Sequence, residues 1–544
     1  MIDIELKISS NKIWSFFNYK SEKVWYAGDL CIIKKIFFKI QKLNKINIKN
    51  LKNILLNSNN NFGLIFKFKD KIICCTDKIR SYPIFYSKQK NKLYISNDPK
   101  KLIKKSTFTN NSSIIDCLLS GYTLGRNTLY ENIYSMLVAE IIFSPVKDSD
   151  NFKIFKYFLY NFTFKKTKKN LNYLNKKLDI KFNTVISRLI KKANGRQIVI
   201  PLSGGLDSRL ILCKLHEFKY KNIVCFTYGL KNNSDVKYAE IIAKLLDVKW
   251  KYIPFEKSRF QKYYNSSFKI KYDLFADNSI SLPNYQDVFF IKELLDEKFI
   301  EKDSIIVNGQ TGDFITGGQI PSKKEKKNFD YFKKEIISKH FFLFRRLRNP
   351  SIQIYIEKNL KNFINDKSLK NKNFDEILEL WNFEERQTKY IINGQRAYEF
   401  LSLDWFLPFW DKELLKFWNS VPHKFKVNQI LYKHYLKKWN YKNLFNKKFD
   451  EVHAFTGGIS IIVHLLSIFL NVTKPFINKQ QIMKFLDYYS RYGYMYNFFS
   501  LKYFLKYRIL VKNAFALHTL RWLDDRGLAN EIKFLNKKYK FLKT

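Results

Sequence analysis

The chain has 544 residues and carries 98 Lys and Arg against 48 Asp and Glu, a formal net charge of +50, with 46% hydrophobic and 17% aromatic residues. That apolar content fills large cores and excludes a disordered polyelectrolyte. The 17 Gly, 11 Pro and 6 Cys exclude collagen-like, mucin-like and disulfide-scaffold classes. At roughly 100–200 residues per domain, two to four domains are expected. Charge alone does not choose a partner. Lys, Asn, Ile, Phe and Tyr, all with A/T-rich codons, are abundant together, and lysine is spread along the chain.

In chain order, the start Met1-Ile2-Asp3-Ile4-Glu5 lacks the cationic and apolar regions of a signal peptide. Up to about residue 160 the pattern reads as short strands. Phe62–Phe68 and Ile72–Thr76 form a hairpin-like pair around Lys69-Asp70-Lys71. Ile84–Tyr86 and Leu93–Ile95 follow, separated by the polar stretch Ser87–Lys92, and another pair surrounds Val146-Lys147-Asp148. Cys74 and Cys75 sit in an apolar run that reads as a buried strand. No CxxC pair and no His/Cys ligand array occurs, so a structural zinc is not expected and the cysteines fit a reducing, cytoplasmic setting. Phe164–Asn170, rich in Lys and Asn, reads as a linker, and the periodicity changes after it.

Beyond the linker the pattern alternates. Arg196–Leu202 reads as a buried strand, Ser203-Gly204-Gly205 as a turn and Leu206–His216 as a helix. Asn222–Thr227 is a second strand. Ser234 is placed as the cap of a helix with Val236, Ala239, Ala243 and Leu246 on one face, and Lys251–Phe255 is a third strand. Strand–helix repetition of this kind predicts a parallel sheet with right-handed crossovers, whose ligands bind beyond the carboxyl ends of the strands. From about residue 330 the chain reads as mostly helical. Ile459–Val472 is apolar but shorter than the ~20 residues of a membrane span, so a buried helix is predicted there and no membrane span.

The chemistry concentrates at Leu202-Ser203-Gly204-Gly205-Leu206-Asp207-Ser208. Glycines let backbone N–H groups close on an anion, and the following helix N-terminus favours phosphate oxygens. Asp207 would repel a phosphate unless a cation lies between them, which points to Mg²⁺ carried by a nucleotide. No GxxxxGK[ST] loop occurs.

SGGLDS between a strand and a helix resembles the pyrophosphate loop of the ATP pyrophosphatases. Asn308-Gly309-Gln310-Thr311-Gly312-Asp313-Phe314, running on to Gly317-Gly318, resembles the second nucleotide stretch of glutamine-hydrolysing asparagine synthetases and beta-lactam synthetases. The resemblance implies that Asp207 and Asp313 hold Mg²⁺. It also implies that Leu202, Ser203, Gly204, Gly205, Asp207, Ser208, Asn308 and Gly309 contact ATP, with Tyr228 in the loop that faces adenine. Leu403-Asp404-Trp405-Phe406-Leu407-Pro408-Phe409 and Lys433-His434-Tyr435-Leu436-Lys437 resemble two further family stretches, which assigns catalytic roles to Asp404 and Lys433. Gln310 stands where the family has a Glu that removes a proton from the amine, and a glutamine is no base. Ser281–Asp287 is expected on the acceptor side.

Residues 1–162 resemble the N-terminal-nucleophile glutaminase domain of the same synthetases through Asp77–Tyr86 and Thr128–Ile133. Its chemistry needs an N-terminal Cys. Met1-Ile2 stands there instead, and Cys31 is followed by Ile32-Ile33. A catalytically silent glutaminase-like αββα domain is therefore expected, followed over residues 170–544 by a doubly wound α/β ATP pyrophosphatase domain with a large helical extension. The expected activity is ATP-dependent adenylation of a carboxylate and attack by ammonia or an amine, with aspartate-to-asparagine conversion as the default. The cofactors would be ATP and Mg²⁺, the partners small molecules, with no nucleic acid required and a homodimer compatible. The alternatives are a tRNA-modifying ATP pyrophosphatase or a non-catalytic relic.

Overall fold

The computed structural model describes residues 4–20, 22–43, 46–89, 92–145, 152–160, 170–230, 234–322, 326–344, 349–365, 372–446, 493–507 and 513–540. The predicted linker up to Lys169, the Val146-Lys147-Asp148 stretch and the apolar Ile459–Val472 segment lie outside them.

Among the described residues ten strands build the N-terminal half: β1 Ile4–Lys7, β2 Trp14–Tyr19, β3 Glu22–Gly28, β4 Phe62–Phe68, β5 Lys71–Thr76, β6 Phe85–Gln89, β7 Lys92–Ser96, β8 Tyr134–Ser135, β9 Glu140–Pro145 and β10 Lys153–Lys156. They form a six-stranded sheet, β10-β9-β5-β4-β3-β2, and a four-stranded sheet, β1-β7-β6-β8. Alternation along each strand decides what faces what. Phe62, Leu64 and Phe66 of β4 and Ile73 and Cys75 of β5 turn to helices α1 (Leu30–Gln41) and α2 (Ile48–Leu56). Ile65, Ile72 and Cys74 turn the other way, into one core with Tyr86, Leu93 and Ile95 of the second sheet. Helix, sheet and sheet thus stack in three layers.

The strand-only reading of residues 1–160 missed α1 and α2. The signal was present: Ile33, Ile36, Phe37 and Ile40 fall at helical spacing, and Asp29 caps the amides of Cys31 and Ile32. Ser87–Lys92 is also less of a loop than expected. β6 runs on to Gln89 and β7 starts at Lys92, because the antiparallel pairing Lys88↔Leu93 and Gln89↔Lys92 carries the polar residues with it.

The C-terminal half opens with helix α4 (Leu171–Ala193), which follows α3 (Asn111–Ser120) in the chain. It then runs through β11 (Ile198–Pro201), α5 (Leu206–Glu217), β12 (Ile223–Gly229), α6 (Ser234–Leu245), β13 (Lys249–Pro254), β14 (Ile305–Val307) and β15 (Asp404–Phe406). The five strands are parallel in the order β13-β12-β11-β14-β15. Ile198, Val199 and Ile200 are fully buried, as a central parallel strand covered on both faces requires. Two crossovers carry the chain from β11 to β12 and β13, and the next places β14 on the other side of β11. The strand order therefore reverses between β11 and β14, where such sheets open a crevice at their carboxyl ends. Beyond residue 320 the described elements are helices and short helical turns except for β15.

The two halves meet on the segment 382–396. Arg80 Nη1 donates to the Thr388 carbonyl at 3.3 Å, Lys389 Nζ to the Thr123 and Gly125 carbonyls at 3.1 and 2.7 Å, and Arg396 Nη2 to the Ser81 carbonyl at 2.9 Å. Among the described residues no helix is long and apolar enough to cross a membrane.

Candidate active site

The β11–α5 turn is shaped to receive an anion. Gly205, the residue before α5, is extended (φ −69°, ψ 165°) and gives the helix no side-chain cap, which leaves its first amides for a ligand. Ser203 Oγ accepts from the Gly205 N–H at 3.2 Å and lies 3.2 Å from Ser208 Oγ, which accepts from the Ser203 N–H. The Gly204 N–H donates to Asp235 Oδ1 at 3.0 Å, and a Cβ on Gly204 would come within 2.8 Å of the Tyr238 ring. Arg209, buried, fastens the turn from below by donating to the carbonyls of Gly204 at 2.6 Å and Leu444 at 2.7 Å.

Across the crevice, the β14 loop packs directly on Asp207. A Cβ on Gly309 would stand 2.7 Å from Asp207 Cβ, and one on Gly312 less than 3.0 Å from Cγ and both carboxylate oxygens. Only glycine allows that approach. Thr311, a β-branched residue, is held at φ 72°, a strained conformation of the kind that collects at ligand-binding loops. Asp207 Oδ1 accepts from the Tyr432 hydroxyl at 2.8 Å. Burial pushes the Asp207 carboxyl up to about 7; the Tyr432 hydrogen bond opposes the rise and the Asp313 charge adds to it. Asp313 is exposed and accepts from Gln319 Nε2 at 3.1 Å. Two hard oxygen donors, one of them held partly protonated for want of a counter-charge, fit a divalent cation such as Mg²⁺.

These residues frame a cavity of about 330 Å³, lined by Leu202, Ser203, Gly205, Asp207, Ser208, Tyr228, Asn308 and Gly309 among others. The Tyr228 ring stacks on Phe290 at 4.1 Å, and its hydroxyl donates to Asp287 Oδ1. Tyr398 donates to the other Asp287 oxygen at 2.7 Å and accepts from Asn308 Nδ2 at 3.0 Å. Asp287, raised above the usual carboxylate range by burial, thus ties the β12 and β14 loops together. Gln310 Oε1 accepts from Gln395 Nε2 at 2.5 Å, so a second amide holds the side chain in place. A second cavity of about 360 Å³ adjoins the first and shares Gln286 and Gln310 with it; Leu282, Asn284 and Asp313 line it.

Two sequence-derived assignments do not join this group. Asp404 opens β15 opposite Ile305, the first residue of β14, and therefore stands at the amino ends of the strands, away from the crevice. It is exposed and paired with Arg196 at 2.8 Å. Lys433 is exposed on the helix Ile430–Trp439 and lines neither cavity; its neighbour Tyr432 reaches Asp207 instead. Tyr432, Asp235 and Gln395 were not singled out from the sequence, whereas Asp287, expected on the acceptor side, lines the cavity of the Ser-Gly-Gly turn. Tyr432 stands immediately before the Lys433–Lys437 stretch, one residue from Lys433.

A doubly wound parallel sheet with a Ser-Gly-Gly turn and a facing pair of carboxylates at its switch point defines the ATP pyrophosphatase class of fold. Residues 192–444 match the family model described as Asparagine synthase. No curated protein matches the chain. Among solved structures it is similar to an NH3-dependent NAD synthetase from Campylobacter jejuni in complex with nitrate, at 14% identity over 38% of this chain and 97% of that one, TM-score 0.20. It is also similar to glutamine phosphoribosylpyrophosphate amidotransferase from B. subtilis complexed with ADP and GMP, at 6% identity over 55% and 64%, TM-score 0.17. A third is titled the allosteric regulatory enzyme of purine biosynthesis, at 8% identity over 44% and 62%, TM-score 0.18.

Proposed function

We propose that the protein is an ATP-dependent ligase that activates a substrate carboxylate as its acyl-adenylate, releases pyrophosphate and forms an amide with ammonia or an amine. The observation that carries this reading is the junction of the two cavities at Gln286 and Gln310, directly beside Asp207 and the uncapped start of α5. A nucleotide in the smaller cavity would lay its phosphates on the uncapped first amides of α5, with its base toward Tyr228. Asp207 and Asp313 would hold Mg²⁺, whose chemistry there is to neutralise charge on the departing pyrophosphate. Tyr432 orients the Asp207 carboxylate, and Gly309 and Gly312 keep the β14 loop against it. The second substrate enters from the larger cavity, its carboxylate at the shared wall.

Gln310 and Gln395 orient and do not deprotonate, so the amine must arrive neutral or lose its proton to solvent or to another acceptor such as the released pyrophosphate. The N-terminal half serves as wall and support: its exposed Cys31 lies within α1, at the second position of the helix, bound to the Asp29 cap through its amide. ATP–pyrophosphate exchange screened over carboxylic acids tests the reading. Exchange that depends on a carboxylate and disappears in Asp207→Ala supports it; exchange unaffected by that change overturns the site. Exchange that requires tRNA would favour a tRNA-modifying enzyme instead.

A further inference from the structure

The larger cavity identifies the kind of acid that would enter it, given the ligase reading above. Its far wall is the helix Asn382–Ile391, which has π-helical hydrogen bonding over its whole length. Such turns are rare and recur at functional sites. Their wider spacing brings residues i, i+1, i+4 and i+5 to one face, and the four residues this helix gives to the cavity are Arg386, Gln387, Tyr390 and Ile391. The facing wall comes from the N-terminal half, through the turn Ser120-Gly121-Tyr122 that ends α3.

Arg386 is the unusual member. It is half-buried and makes no ion pair or hydrogen bond with another described residue. The adjacent Glu385 is already taken by Lys389 Nζ at 2.5 Å and by the Gly125 N–H. His340, also in the wall, cannot answer the guanidinium, because burial foremost and the Arg386 charge in addition hold its imidazole neutral. A guanidinium without a partner in a half-enclosed site calls for an anion, preferably one it can bind with two parallel hydrogen bonds. The rest of the lining divides between apolar side chains, Leu282, Phe314, Phe342, Leu343 and Phe515, and neutral polar ones, Asn284, Gln286, Gln310, Thr311 and Gln319. Asp313 is the lone carboxylate among the described lining residues, and the ligase reading commits it to the cation.

We infer that the acid adenylated here is larger than aspartate: an apolar-bodied diacid whose second anionic group meets Arg386, with no free ammonium beside it. Aspartate would satisfy Arg386 with one carboxylate but bring an ammonium that finds no counter-charge, and a desolvated cation without a partner is strongly disfavoured.

The test is a binding titration of the full chain with Mg²⁺ and a non-hydrolysable ATP analogue, followed by 2-benzylsuccinate, 3-phenylpropanoate or L-aspartate. The diacid should bind at least tenfold more tightly than either other acid. Arg386→Gln should bring it down to the phenylpropanoate level without changing phenylpropanoate itself, and Arg386→Lys should recover part of the difference. Unfolding temperatures of both variants establish that each is folded. Aspartate binding as well as 2-benzylsuccinate, or an Arg386→Gln variant with unchanged diacid affinity, overturns the inference while nucleotide binding persists. Failure of the nucleotide itself to bind would instead bring down the ligase reading on which it rests.

Discussion

Substituting Gly312 by alanine places a methyl group inside the Asp207 carboxylate, less than 3.0 Å from Cγ, Oδ1 and Oδ2. Ordinary carbon–oxygen contact needs about 3.4 Å or more, so either the carboxylate swings away or the β14 loop retreats, and the two jaws of the crevice separate. Asp207 then loses its place opposite Asp313 and its hydrogen bond from Tyr432. A charge-assisted hydrogen bond contributes about 1.5–3 kcal/mol, which corresponds to a loss of roughly 10- to 150-fold in affinity for Mg²⁺–nucleotide. Asp404→Asn is the control, because Asp404 stands at the amino ends of the strands, away from the crevice. Calorimetric titration with Mg²⁺ and a non-hydrolysable ATP analogue measures both. Equal affinities for Gly312→Ala and the wild type would refute the placement of Asp207 in the nucleotide site.

Three further outcomes are expected. Asp207 has a folded-state value of about 7 against an ordinary 3.8, so the native chain binds more protons than the unfolded one between these values and loses stability as pH rises through them. Asp207→Asn should therefore raise the unfolding temperature at pH 8 but not at pH 4, by an amount equivalent to about 2–4 kcal/mol; no difference between the two pH values would contradict the burial argument. Tyr432→Phe removes one hydroxyl hydrogen bond of 2.8 Å from a carboxylate and should weaken nucleotide binding about tenfold, leaving the fold intact by circular dichroism. Asp404→Asn should leave nucleotide affinity unchanged and shift the unfolding midpoint by at most about 1 kcal/mol, since it breaks only an exposed pair with Arg196; lost affinity would return Asp404 to the site.

What could be read from the amino acids followed local pattern. β4, β11, β12 and α5 fall where hydrophobic runs, a glycine turn and helical spacing put them, because each signal lies within a dozen residues. Val236, Ala239, Ala243 and Leu246 are all buried, as their spacing required. The switch point was not legible, since it depends on β14 returning to the far side of β11 after some 50 residues of intervening helices. Asp404 illustrates the limit. Its stretch reads well as a family segment, yet which end of a strand faces the crevice is decided by sheet register, here Asp404 opposite Ile305. Tyr432 and Lys433 differ by one position on a helix, about 100° of rotation, and a pattern match alone does not select between them. The role of Asp287 was not legible for another reason: its partners, Tyr228 and Tyr398, lie 59 and 111 residues away.

The N-terminal half cannot be a detachable module under this arrangement. Lys389 is buried and spends its ammonium on the carbonyls of Thr123 and Gly125, both in the N-terminal half, and on Glu385. Arg80 and Arg396, also buried, cross the same seam in opposite directions. Withdrawing that half would strip partners from several desolvated charges, and each buried charge left alone costs about 3–5 kcal/mol. The same seam carries the π-helical turn that presents Arg386, and the facing wall of its cavity is Ser120-Gly121-Tyr122. Whatever the N-terminal half does chemically, it shapes the larger cavity, so substitutions at the α3 turn should alter recognition of the acid before they alter nucleotide binding. Tyr122→Ala, measured for both ligands in one titration, separates the two: a loss confined to the nucleotide would show that the wall has been assigned to the wrong cavity.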